Sequence, residues 1–75
     1  MPCIEGDALT PTGRQLLESL AEPRTDEEVK DILGQRLFRV RSSLRELMFA
    51  GLATVEQGRY SLTAAGRAKL QEGQG

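Results

Sequence analysis

Arginine and serine recur through residues 35–52, QRLFRVRSSLRELMFAGL, set against a separate apolar stripe. Guanidinium groups donate hydrogen bonds through a rigid planar fork, and serine hydroxyls both donate and accept. Together they suit phosphate oxygens and the polar edges of bases. If the stretch is one helix, Leu37, Val40, Leu44, Leu47 and Met48 share a stripe at spacings of three and four. At about 100° per residue, Arg39, Ser42 and Glu46 oppose that stripe, Phe38 and Ser43 take its shoulders, and Arg41 and Arg45 lie towards the core edge. Such a face suits a duplex groove. The ordinary alternative is a charged face turned to water.

Other chemistries find little support. The acids Asp26, Glu27 and Glu28 fall in the first turn of a second helix, where they suit the positive end of the helix dipole. Paired carboxylates acting as acid and base need a pocket, which an exposed first turn does not offer. The chain has no histidine and one cysteine, Cys3, so neither an intramolecular disulfide nor the usual four-ligand metal set is expected. No nucleophile with a base and no phosphate-cradling glycine loop stands out, so no enzyme and no cofactor are expected.

The elements that hold these residues must fit into 75 residues, room for one small core and one domain over 1–75, ordered over about 9–72. No apolar run approaches the roughly 18 residues of a membrane span. The opening MPCIEGDA lacks the basic start and apolar stretch of a leader, so a cytoplasmic chain with no membrane partner is expected. Net charge is −1, but it is unevenly spread. Residues 1–34 hold three cations and eight acids, a balance of −5, whereas residues 35–69 hold seven cations and two acids, a balance of +5. This polarity fits a face offered to a polyanion, and fits a head-to-tail protein contact almost as well.

Taken in order, a loose opening leads to Leu9-Thr10-Pro11, with threonine as N-cap and proline at the first helical position. Leu16, Leu17 and Leu20 give this helix its core face, Ala21-Glu22-Pro23 closes it, and Pro23-Arg24 makes an extended link. Thr25-Asp26-Glu27-Glu28 reads as a capping box opening a second helix with Val29, Ile32 and Leu33 inward, ended by Gly34. The third helix starts at Arg36 or Leu37, without a strong cap, and stops at Gly51. The period then changes to two. A Gln57-Gly58 turn sets Val55 opposite Tyr60, Ala53 opposite Leu62, Thr54 opposite Ser61 and Glu56 opposite Arg59; a four-residue loop from Glu56 to Arg59 is the other option. Thr63 caps a last helix from Ala64 to about Glu72, followed by a loose end. The expected core is Leu16, Leu20, Ile32, Val40, Leu44, Leu47, Val55 and Leu62; Phe38 and Phe49, on one flank of the third helix, are expected to be covered by the hairpin or the first helix, with an exposed interaction patch as the alternative. The strings LTPTGRQLL and LTAAGRAKL are similar because both start helices.

The run DEEVKDILG, then Val40, Leu44, Leu47 and AGL, a hairpin through Gly58, and YSLTAAG resembles the winged helix-turn-helix domains of bacterial regulators of the ArsR and MarR types. The likeness covers about residues 9–72. It implies a mainly α fold with a small β-hairpin: a three-helix core, a two-stranded wing and a C-terminal helix. By that resemblance the span from Arg36 to Ala50 is the recognition helix, and Phe38, Arg39, Ser42 and Ser43 hold positions that reach base edges. Arg36, Arg41, Arg45 and Arg59, the last on a short wing, would hold phosphates. No cysteine and histidine set matches the metal sites of the ArsR type, so metal sensing is not implied. The long terminal helices through which MarR-type regulators dimerise have no counterpart, so a monomer or weak homodimer is expected. The implied function is a transcriptional regulator or stand-alone module binding double-stranded DNA. The alternative is a winged helix that binds a protein partner and no DNA.

Overall fold

The computed structural model of the chain describes residues 4–5 and 8–72, and its element boundaries follow from local chemistry. Two short strands, β1 (Ile4–Glu5) and β2 (Ala8–Leu9), pair antiparallel, Ile4 with Leu9 and Glu5 with Ala8. This corrects the expectation of a loose opening at Ile4, Glu5 and Ala8. Residues 1–3 and 6–7, and the expected loose end at 73–75, lie outside the described residues.

Helix α1 (Pro11–Ser19) begins where Thr10 Oγ1 accepts the Gly13 N–H at 3.0 Å, with proline at the first position. It ends slightly earlier than the sequence suggests. The buried Ser19 hydroxyl donates to the Leu16 carbonyl at 2.6 Å. Helix α2 (Asp26–Leu33) opens with the full capping box: Glu28 N–H donates to Thr25 Oγ1 at 3.2 Å, and Thr25 N–H donates to Glu28 Oε1 at 2.9 Å. Gly34, at φ 66°, ends it, donating its N–H to the Lys30 carbonyl at 2.8 Å.

Helix α3 (Leu37–Phe49) starts after Arg36 with no side-chain cap. Its end is tightly specified. Gly51 N–H reaches the Met48 carbonyl at 3.0 Å and Leu52 N–H reaches the Leu47 carbonyl at 2.9 Å, the paired bonds of a Schellman motif, with Gly51 at φ 76°. Leu47 and Leu52 are both buried, the apolar contact that usually accompanies that motif.

Strands β3 (Ala53–Glu56) and β4 (Arg59–Leu62) pair in the expected register, joined by Gln57 and Gly58 at φ 53° and 79°. Positive φ at both turn residues identifies the two-residue turn whose twist matches the strands. One pairing went unforeseen. Arg24, in the link before α2, exchanges backbone hydrogen bonds with Tyr60 at 2.9 and 2.7 Å, so a third segment lies along β4. Helix α4 (Ala64–Glu72) starts at Thr63, whose Oγ1 accepts the Gly66 N–H at 3.0 Å and donates to the Gly51 carbonyl at 2.7 Å.

The molecule is therefore mainly helical, with an antiparallel two-stranded hairpin after the third helix. Helices α1, α2 and α3 pack on one another, and α4 lies against α1 and β4. Leu16, Leu20, Val40, Leu44, Leu47 and Leu62 are buried as expected, joined by Leu17, Val29, Leu52 and Ala53. Ile32 and Val55 are corrections. Ile32 is 51% exposed, because a helix of two turns buries only its Val29–Leu33 seam and Ile32 sits beside Gln15 and Glu18 at the rim. Val55 is exposed because burial fades along the hairpin, complete at its base in Ala53 and Leu62 and only partial at Tyr60, the partner of Val55. Met48, at the edge of the α3 stripe, is exposed as well.

Two substitutions test this packing by urea unfolding. Leu44→Ala is expected to cost about 2–5 kcal/mol through the cavity it leaves. A Cβ on Gly66 would run into the Leu52 carbonyl oxygen, so Gly66→Ala is expected to destabilise although alanine is better than glycine in a helix by about 1 kcal/mol. An unchanged or raised midpoint for Gly66→Ala would refute the close approach of α4 to Leu52.

Candidate functional site

Burial of Val40, Leu44 and Leu47 on one side of α3 decides what the other side presents. Residues Phe38, Ser42, Arg45 and Phe49 follow each other at steps of four, three and four, so they form one outward row. Phe38 is 65% exposed and Phe49 86%. The expectation that the hairpin or α1 covers these rings is corrected. They stand about 120° and 140° around the helix from Leu44, beyond the reach of either neighbour.

An open groove of about 720 Å³ runs along this face, lined by Phe38, Arg39, Ser42, Ser43, Arg45 and Phe49. Five residues singled out from the sequence are thus brought together. Glu46 lies among them, and Thr12 from the first turn of α1 and Gln35 from the loop after Gly34 complete the wall. Neither Thr12 nor Gln35 was foreseen as part of the site. Gln35 is signalled by its place just after the helix-ending glycine, whereas Thr12 arrives through the packing of α1 on α3.

The other three arginines are placed elsewhere. Arg36 stands exposed at the N-terminal end of α3. Arg41 turns towards α2, where its Nε donates to Asp26 Oδ2 at 2.8 Å. Arg59 is exposed beside the hairpin turn, opposite Glu56 in register and close enough to Glu28 to favour its charged form. Among the described residues, Arg36, Arg39 and Arg45 take part in no ion pair.

Two acids of the α2 first turn, Asp26 and Glu28, have structural partners. The hydrogen bond from Arg41 holds the Asp26 carboxyl below its ordinary value, and the same bond raises the Arg41 guanidinium. The Thr25 backbone N–H is the main cause of the lowered Glu28 value, with the Thr25 hydroxyl and Arg59 adding to it. Among the described residues, no three histidine, cysteine, aspartate or glutamate side chains stand close enough to hold a metal ion. No described helix is long and apolar enough to cross a membrane.

The arrangement offers an open groove with a guanidinium pair, hydroxyls and two aromatic rings along one helix face, bounded by α1. Comparison with known protein families, with curated proteins and with solved structures finds no match to this chain.

The two lowered carboxyls give the domain an acid limb. A group whose folded value lies below its unfolded value contributes stability above the unfolded value and loses it as pH falls through the folded one. With unfolded values of 3.8 for Asp26 and 4.5 for Glu28, this contribution is expected to be constant at neutral pH and to shrink as pH drops below about 4.5. Urea midpoints measured against pH for the wild type and for Glu28→Gln check this: the variant should fall less steeply, and parallel curves would remove Glu28 from the linkage.

Proposed function

We propose that the chain is a winged helix-turn-helix module that binds double-stranded DNA, with α3 entering the major groove. The observation that carries this reading is the division of α3 itself. On one side Val40, Leu44 and Leu47 are fully buried in the three-helix core, while the other holds Arg39, Ser42 and Arg45 in an uncovered groove. A major groove about 12 Å wide admits one helix, and only a helix with a free polar side can use it. The order of elements agrees. Helices α2 and α3 are joined by a glycine-containing turn, and a hairpin follows, to which Arg24 pairs as a third segment.

In this reading Arg39, Ser42 and Ser43 meet base edges, and Phe38 lies against a thymine methyl group. Arg36 and Arg45, which form no ion pair among the described residues, hold phosphates and fix the register. Arg59 contributes less than its place on the wing suggests, since Glu56 and Glu28 flank it. Such a role carries a cytoplasmic location with it.

A second reading rests on one observation. Phe38 and Phe49 are exposed at the two ends of the row, eleven positions apart and so about 16 Å along the axis. Two anchors at that spacing suit a helical protein partner, and aromatic rings, phenylalanine included, are enriched at the cores of protein interfaces.

Fluorescence anisotropy with labelled duplexes at low and moderate salt decides between the two. Duplex binding is expected to weaken steeply as salt rises. Arg39→Ala should weaken it further and also blunt discrimination among sequences, by about 1–3 kcal/mol for a lost bidentate guanine contact. Phe49→Ala should leave duplex binding nearly unchanged. Absence of binding to any duplex at low salt, together with capture of a protein lost on Phe38→Ala or Phe49→Ala, would replace the DNA reading by the protein one.

A further inference from the structure

We propose that Asp26 masks Arg41, so that the wing side of α3 adds almost nothing to phosphate attraction until that ion pair opens. The inference rests on the duplex-binding reading above and deepens it. Arg41 stands one residue from Ser42 on the same helix, and by sequence it is as fit to hold a phosphate as Arg45. The structure separates the two arginines. Arg45 lines the open groove, whereas Arg41 is bonded to Asp26 at 2.8 Å across the α2–α3 junction. The carboxylate is the better sheltered partner, its side chain 24% exposed against 57% for Arg41, so the acid stays in place while the guanidinium retains a free edge.

The surroundings strengthen the mask. Glu27 adds negative potential at Arg41, and Glu28 does the same for Arg59. Both wing-side arginines therefore face the acids of one helical turn, while Arg36, Arg39 and Arg45 form no ion pair among the described residues. A phosphate approaching Arg41 must either displace the Asp26 carboxylate or lie beside it, and both oppose binding. The lowered Asp26 value reflects the same bond, since the Arg41 guanidinium favours the charged carboxylate.

The test is a double-mutant cycle read by anisotropy on two unrelated duplexes over a salt series. Asp26→Asn keeps the shape and removes the charge. It is expected to raise affinity several-fold on both duplexes, because phosphate contacts carry no sequence information. The slope of log affinity against log salt should steepen by about 0.9, the share of one further phosphate. Arg41→Ala alone should change affinity little, and in the Asp26→Asn background it should erase the gain. Glu27→Gln, which removes a nearby charge not bonded to Arg41, should give a smaller gain. Melting by circular dichroism accompanies each variant, and Asp26→Ser serves as a second unmasking variant if Asp26→Asn is unstable.

A fall in affinity on Asp26→Asn matching that of Arg41→Ala would make Asp26 a positioning residue and overturn the mask. A gain that survives Arg41→Ala would be a general charge effect and overturn it too. Binding by the wild type with no gain in either Asp26 variant removes the mask alone. Failure of the wild type and every variant to bind duplex removes the DNA reading, and the mask with it.

Discussion

The seam formed by Val40, Leu44 and Leu47 is the contact on which the rest of this small fold depends. All three side chains are fully buried, and they meet α1 and α2. Burying one such side chain contributes about 1.5–3 kcal/mol, so the seam outweighs any cap or surface pair in the molecule. Rotation of α3 about its axis is fixed by that burial. The outward row from Phe38 to Phe49 is therefore a consequence of core packing, before any partner is considered. Ordering α3 in advance also lowers the entropic cost of using its face for binding.

A second junction ties the hairpin to the bundle, and it joins two parts of the sequence that look unrelated. Gly51 turns the chain out of α3, and its carbonyl accepts the Thr63 hydroxyl. The next carbonyl, of Leu52, accepts the Thr63 N–H at 3.1 Å and lies against the Cα of Gly66. The glycine of AGL is needed for its positive φ, whereas the glycine of LTAAG is needed for its missing side chain. Thr10 and Thr63 show why LTPTGR and LTAAGR are alike: each hydroxyl accepts the N–H of the glycine three residues on. The two strings share one capping chemistry.

What could be read from the sequence was local. Caps at Thr10, Thr25 and Thr63, stops at Gly34 and Gly51, and the whole hairpin register depend on neighbours within a few residues, and all were legible. Ile32, Val55, Phe38 and Phe49 were misplaced for one shared reason. Periodicity gives the direction in which a side chain points, but not whether another element stands there to cover it. The Asp26–Arg41 bond and the Arg24–Tyr60 bridge join residues 15 and 36 positions apart, so they appear only once the helices are packed. Of the site, the groove row was legible as a helical face. The diversion of Arg41 and the entry of Thr12 were not, because α2 and α1 decide them.

The charge division along the chain likewise changes meaning in three dimensions. An acidic first half and a basic second half suggest two opposed faces. Instead the acids of the α2 first turn lie beside Arg41 of α3 and Arg59 of the hairpin, so part of the separation is cancelled on contact. Among the described residues, Arg39 and Arg45 on the outward row and Arg36 before it take part in no ion pair, although Glu46 lies in the same groove. A domain with net charge −1 can attract a polyanion only through such a local excess, felt within about 8–10 Å at ordinary salt. The same row ends in two uncovered rings, which add contact area but no charge. Salt dependence therefore separates the contributions. Binding governed by the arginines must weaken as ions screen them, while binding governed by Phe38 and Phe49 must persist, since apolar burial does not depend on the Debye length.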